Sequence, residues 1–265
     1  KRKYYFILTI MNLYVYLQGG LGNQMFQYAA GLSALKEYPQ FTKLCIDTSF
    51  YTGQDRKVIV NGLTGRGYDL DLLNIKYTTE DAPEGATMLQ GWFQNLKEFE
   101  NVIDEVKDQF QFVVDFSEET KKVRDKILAE EESIAIHVRR GDYITNPTAA
   151  AHHGVLEKEF YDKAIELMEE KYSNPHYFVF SEDHEWCKEN IITDNKITFV
   201  GSECNDVKDS GHLYLMTQCK NHIIANSSYS WWGAFLGDSK YTIGPERWNR
   251  DQSGSEVMLE EWVKI

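Results

Sequence analysis

The stretch Ile134-Ala135-Ile136-His137-Val138-Arg139-Arg140-Gly141-Asp142-Tyr143 decides the fold. Ile134 to Val138 are apolar or β-branched apart from one histidine, the pattern of a short strand buried on both faces. The two arginines, the glycine and the aspartate that follow cannot continue it, because each desolvated charge would cost several kcal/mol without a waiting partner. They belong to a loop at the strand's carboxyl end, the edge where open α/β sheets bind ligands. Paired guanidiniums grip a diphosphate bidentately and never lose their charge. A strand terminus whose arginines pair with surface acids is the competing reading, and an adhesion-type use of Arg140-Gly141-Asp142 would ignore the strand before it.

The chain has 265 residues, enough for one large domain or two modest ones, and 42% apolar with 14% aromatic residues is ample for packed cores. Its 41 acids against 28 bases give a net charge of −13, which argues against nucleic acid or an anionic membrane as a general partner. Any anion site must then be a local positive spot such as residues 139–140. Cys45, Cys187, Cys204 and Cys219 have neither zinc-ligand spacing nor the density of a disulfide framework, so a reducing, cytoplasmic setting is expected. Lys1-Arg2-Lys3 followed by Tyr4 to Leu17 has the outline of a signal sequence, yet Asn12 and Gln18 interrupt it and no small-residue cleavage site follows. Met11 is a plausible true start, with residues 1–10 an upstream extension. No segment is apolar enough to span a bilayer, which leaves at most peripheral association with a membrane.

After a first strand ending near Leu17, Gln18-Gly19-Gly20-Leu21-Gly22-Asn23-Gln24 forms a glycine-rich turn into a helix that Pro39 stops. It has neither the glycine order of a dinucleotide fingerprint nor the lysine of a phosphate loop. Gly20, Asn23 and Gln24 instead suit a hydroxyl-rich neutral ligand, since amides donate and accept together; a purely structural turn is the alternative. A second strand is expected at 43–47 and another at 88–93, with helices over 95–108 and 117–132. Asp69-Leu70-Asp71 has the spacing of a cation-binding pair, but its apolar neighbours favour a turn of amphipathic structure, so no metal is expected. A domain boundary is expected near 130.

From Ser133 the alternation becomes regular: strand 134–138, a loop to 155, helix 156–172, strand 177–180, helix 184–192, strand 196–200, helix 210–220, strand 222–225, helix 229–237 and strand 240–244. That is a doubly wound parallel sheet. Three of its strand ends share one edge: Arg139-Arg140, Ser181-Glu182-Asp183, and Asn226-Ser227-Ser228. The Asp183 carboxylate could accept from guanine N1–H and N2–H2 or from a ribose, and the serines at a helix start could cradle an anion. Ser181, Asp183, Ser227 and Ser228 could equally serve as helix caps.

Three blocks, Gly19-Gly20-Leu21-Gly22-Asn23-Gln24-Met25-Phe26-Gln27, His137 to Tyr143 and Asn226-Ser227-Ser228-Tyr229-Ser230-Trp231-Trp232-Gly233-Ala234, resemble the signature blocks of the α-1,2-fucosyltransferases of glycosyltransferase family 11. The similarity runs from about Met11 to about Trp248. It implies a GT-B architecture of two Rossmann-like domains facing a cleft, residues 1–130 on the acceptor side and 131–265 binding the GDP-sugar. It further implies inverting transfer of fucose from GDP-fucose to the 2-hydroxyl of a galactose-terminated glycan, with no obligatory metal. His137, Arg139, Arg140, Ser181, Asp183, Asn226, Ser227 and Ser228 then fall to the donor and Gly20, Asn23 and Gln24 to the acceptor. Arg140 would stabilise the departing diphosphate, and Asp142 or His153, beside His152 in a small-residue loop, would be the base. A transferase of different linkage and a non-catalytic nucleotide-sugar or glycan-binding protein are the alternatives. The Gly-Asn-Gln block and the retention of both arginines speak against them.

Overall fold

The computed structural model describes residues 11–51, 67–251, 254 and 256–265. The expected extension at 1–10 lies outside them. Two compact units divide between residues 111 and 112.

In the first unit β1 (Met11–Tyr16) lies between β2 (Phe41–Asp47) and β3 (Thr87–Leu89), all parallel. Helix α1 (Leu21–Glu37) returns the chain from β1 to β2 and ends just before Pro39. Its buried Met25, Phe26, Tyr28, Ala29 and Leu32 join Leu13, Val15, Leu44 and Ile46 of the strands in the core. Gly31 is required there, since a Cβ would fall 2.5 Å from Val15 Cγ2. The expected strand 88–93 stops at Leu89: Phe93 has φ +51°, which extended backbone cannot contain. The expected helix 95–108 resolves into two 3₁₀ turns, Leu96–Glu98 and Glu100–Val102, and a short α2 (Ile103–Gln109). Gln109 Oε1 accepts from the Tyr28 hydroxyl at 2.5 Å, fixing α2 to α1.

The second unit holds six parallel strands in the order β6 (Lys196–Val200), β5 (His176–Ser181), β4 (Ser133–Val138), β7 (Asn221–Ile223), β8 (Tyr241–Gly244) and β9 (Val263–Lys264). Two residues of β9 carry no readable periodicity, and it was not expected. β4 and β5 are buried along their whole length, as a central parallel strand must be. Helices α3 (Glu118–Ala129), α6 (Lys158–Lys171), α7 (His184–Asn190), α8 (Ser210–Gln218) and α9 (Ser228–Leu236) accompany the sheet. The core gathers Ile134, Ile136, Val138, Tyr161, Ala164, Met168, Tyr177, Val179 and Ile223.

The division falls some twenty residues before the expected boundary near 130 because α3 is tied to α8. The Asp206 carboxylate accepts from the Ser117 N–H and the Thr120 hydroxyl, and Phe116 stacks on Tyr214 at 4.1 Å. The segment 139–155 contains two short helices, α4 (Gly141–Thr145) and α5 (Pro147–His152), in place of the expected loop. Asn146 caps α5 by accepting from the Thr148 and Ala149 N–H groups, Pro147 presets the first turn, and three alanines continue it.

Candidate active site

Parallel strands carry their carboxyl ends to one edge. In the second unit the order β5-β4-β7 makes three of the sequence's candidate segments neighbours there: Val138 pairs with Ser181, and Ile136 with Ile223. Each strand then breaks into a loop that leads to a helix start, so side chains from residues 139–142, 181–183 and 226–228 converge on the same edge.

The two arginines differ in what holds them. Arg139 donates to Glu182 and to Asp142 and lies 5.3 Å over the Tyr143 ring. Glu182 approaches so closely that a Cβ on Gly141 would push its carboxylate aside. Arg140 donates only through Nε, to Asp183 Oδ2 at 2.9 Å, while its guanidinium packs 4.3 Å over the Trp186 ring. Its terminal amino groups donate to no described residue. A guanidinium clamped at Nε and on one face, with its fork left open, is preorganised for a bidentate anion.

Several candidates are engaged by the fold. Asp183 Oδ1 caps α7 by accepting from Trp186 N–H at 3.2 Å, and Oδ2 takes Arg140. Both oxygens of the carboxylate expected to read guanine are thus in use, and its place is to hold Arg140. Buried Ser181 accepts from the Asp183 N–H at 3.0 Å, a local turn bond and not an exposed donor contact. Asn226 is likewise buried. Its Nδ2 donates to the carbonyls of His153, Gly154 and Trp248, its backbone carbonyl accepts from the Tyr143 hydroxyl, and its buried Oδ1 has no partner. It fastens α4, α5 and residue 248 to the end of β7.

Ser227 stands at the N-cap of α9 but makes no capping bond, and Ser228 is the first helical residue. The first-turn N–H groups there and the positive end of the helix dipole suit an anion. His137 is 6% exposed, its Nδ1 has no partner, and its ring lies 5.8 Å from that of Tyr229. Burial, reinforced by the Arg139 and His212 charges, pushes its pKa down to about 3, so the imidazole is neutral.

Of the two base candidates, Asp142 is committed to Arg139. His153 stacks on Tyr143 with ring centroids 4.7 Å apart, and its Nδ1 lies 2.9 Å from Asn249 Oδ1. An amide oxygen there requires a proton on Nδ1, which leaves Nε2 with its lone pair. Burial lowers the His153 pKa and keeps the ring neutral. His152 is exposed beside it, with ring centroids 4.6 Å apart.

Glu182, Tyr143, Trp186 and Asn249 complete the arrangement; the first two lie in the quoted strand ends without an assigned role, and the last two are not among the sequence's candidates. Trp186 lies three residues beyond Asp183 in the same helix turn, a spacing that could have signalled a stacking partner for Arg140.

In the first unit, Gly20 caps α1 with its backbone alone. Asn23 Oδ1 accepts from Gln94 Nε2 at 2.7 Å. Gln24 is fully buried: its Nε2 donates to the carbonyls of Gly19 and Gly67, and its Oε1 accepts from the Asp69 N–H. Both ends of that amide belong to the fold, and Gln24 cannot meet a ligand hydroxyl as expected. Asp69 is buried and Asp71 exposed around the 3₁₀ turn Leu70–Leu72. Among the described residues no group of three or more His, Cys, Asp or Glu could hold a metal ion.

The profile of glycosyl transferase family 11 matches residues 75–265. An Escherichia coli α-1,2-colitosyltransferase is 31% identical over 94% of this chain and 97% of its own. The rat galactoside α-(1,2)-fucosyltransferase 2 is 30% identical over 50% of this chain and 39% of its own. Among solved structures, the fucosyltransferase NodZ from Bradyrhizobium superposes with a TM-score of 0.51 at 11% identity, covering 85% of this chain and 93% of its own. That likeness shows the fold, which is GT-B with two Rossmann-like units. With a family profile across most of its length and a relative matched nearly end to end, the chain belongs to glycosyl transferase family 11 and is a glycosyltransferase.

Proposed function

We propose that the enzyme transfers L-fucose from GDP-fucose to the 2-hydroxyl of a galactose-terminated glycan with inversion, the second unit binding the donor and the first the acceptor. The observation that carries this reading is Arg140: a guanidinium clamped by Asp183 and Trp186 with its fork open, on the edge where α9 begins. As the bond from fucose to GDP breaks, the β-phosphate gains charge, and a fixed cation there stabilises the transition state more than the ground state. The first-turn N–H groups at Ser227 and Ser228 share that charge. Arg139, neutralised by Asp142 and Glu182, stiffens the loop. His137 lines the site as a neutral group.

His153 Nε2 takes the proton of the acceptor hydroxyl, and Asp142 positions Arg139. Because burial lowers the His153 pKa below 6.5, the acid limb of kcat/KM falls below that value, and His153→Ala removes the limb and lowers kcat with little change in donor KM. With Arg140 supplying the positive charge at the diphosphate, activity survives EDTA. Four buried cysteines without disulfides suit the cytoplasm. No helix among the described residues is long and apolar enough to cross a membrane.

A second reading has a specific support: the relative matched nearly end to end is named for colitose, a 3,6-dideoxy sugar, so GDP-colitose is the alternative donor. The deciding experiment offers GDP-fucose, GDP-colitose, GDP-mannose and UDP-galactose with lactose, without and with EDTA, and follows nucleotide release. GDP-fucose should be turned over fastest, and GDP should raise the melting temperature. Faster turnover of GDP-colitose would transfer the donor assignment, and protection by UDP but not GDP would overturn it.

A further inference from the structure

Trp92 is half exposed, although an indole usually gains more by burial. Single exposed aromatics are common on protein surfaces, but this one is built into place. Phe93 behind it holds a positive φ of +51°, a left-handed conformation that non-glycine residues rarely adopt. Gly91 before it leaves room for the Phe93 ring, which a Cβ would approach to 2.8 Å.

Fully buried Gln27 donates to the Gly91 carbonyl at 3.2 Å and accepts from the Gln18 N–H at 2.9 Å, so one amide joins the Trp92 loop to the glycine turn after β1. Gln94 donates to Asn23 Oδ1. A side chain begun at Gly19 would meet Trp92 Cζ3 at 3.3 Å and Asn23 Nδ2 at 2.6 Å, so the indole and the amide share that bare stretch of backbone. On another side the Tyr51 hydroxyl donates to the Gly19 carbonyl at 2.8 Å.

An indole face beside partly exposed planar amides over side-chain-free backbone matches the surface of a pyranose. Galactose presents the C–H groups of C3, C4 and C5 on one face, because its 4-hydroxyl is axial to the other. Its hydroxyls both donate and accept, as do amides. We propose that Trp92 is the stacking platform for the acceptor galactose, with the Asn23–Gln94 amide pair meeting its hydroxyls. This rests on the galactoside acceptor assigned above and adds the residues that select it.

The test uses the full chain with GDP-fucose and lactose. Trp92→Ala raises the lactose KM about tenfold or more while the GDP-induced melting shift stays at the wild-type value, and Trp92→Phe, which keeps an aromatic face, restores the KM to within about twofold. An unchanged lactose KM in Trp92→Ala overturns the proposal. A second arm needs no turnover: methyl β-galactoside changes the tryptophan emission of the wild type, and that change disappears in Trp92→Phe. No change in the wild type, or the same change in Trp92→Phe, overturns the platform even if the donor proves to be another sugar. Absence of GDP-fucose turnover with the emission arm intact would instead strike only the donor assignment.

Discussion

The loop after β1 and the loop after β4 are built alike: each leaves the carboxyl end of a parallel strand, passes through glycine and starts a helix. They differ in what the polar residues are for. After β1, the Gln24 amide is spent at both ends on backbone groups, and Gln27 ties one loop to another. After β4, Arg139 is spent on Asp142 and Glu182, but Arg140 keeps its fork open. A polar side chain in a motif is therefore no evidence of ligand contact until its local hydrogen bonds are counted. Of two adjacent arginines, one is held by two carboxylates and the other keeps its terminal amino groups free of described partners.

The largest effect should come from removing Arg139. Arg139→Met leaves Asp142 and Glu182 facing each other without a cation, and the unfolding free energy should fall by about 3 kcal/mol, the usual cost of stripping one partner from a partly buried ion network. Denaturant titration measures it. A loss below about 1 kcal/mol would class this as an ordinary surface pair.

Gln24→Leu should cost about 2 kcal/mol, since it removes the buried amide that the Gly67 carbonyl and the Asp69 N–H bond, while the Gly19 carbonyl keeps the Tyr51 hydroxyl. The GDP-induced melting shift should be unaffected. Failure to lose stability would return Gln24 to the role of a ligand contact.

The effect that builds up most gradually concerns pH. His222 is fully buried, bonded to Ser239 Oγ and the Met216 carbonyl, and burial pushes its pKa from 6.5 down to about 4. His137 behaves likewise, at about 3. Below 6.5 the unfolded chain takes up protons that the folded chain refuses, so stability is full above that pH and declines as pH falls toward 4. Each histidine contributes at most about 1.4 kcal/mol per pH unit. Titrations at pH 7, 6 and 5 should show the decline, and His222→Gln should flatten part of it. A slope unchanged by that substitution would place the proton uptake elsewhere.

The sequence disclosed the parallel alternation, the strand at 134–138 and the three convergent strand ends, because buried strands and glycine turns follow from composition at short range. It did not disclose which candidates the backbone would claim. Ser181 and Asp183 are taken up by a turn, a helix cap and the Arg140 pair, and the Asn226 amide nitrogen is spent on the carbonyls of residues 153 and 248. The two helices within 139–155 were hidden because Asn146 and Pro147 read equally well as loop residues. The run 117–132 reads as solvated charge, while its attachment to the second unit depends on Asp206, far along the chain.

Arg140 is proposed to act through its open fork on the departing diphosphate. The most direct test is steady-state kinetics of Arg140→Lys with GDP-fucose and lactose, with GDP binding followed by melting shift. The substitution keeps the charge and removes the fork, so kcat should fall by a factor of about 10² to 10³ while the fold and most of the GDP-induced shift survive. A variant with nearly full kcat would contradict the account, leaving the end of β4 a structural corner and its two arginines equivalent struts.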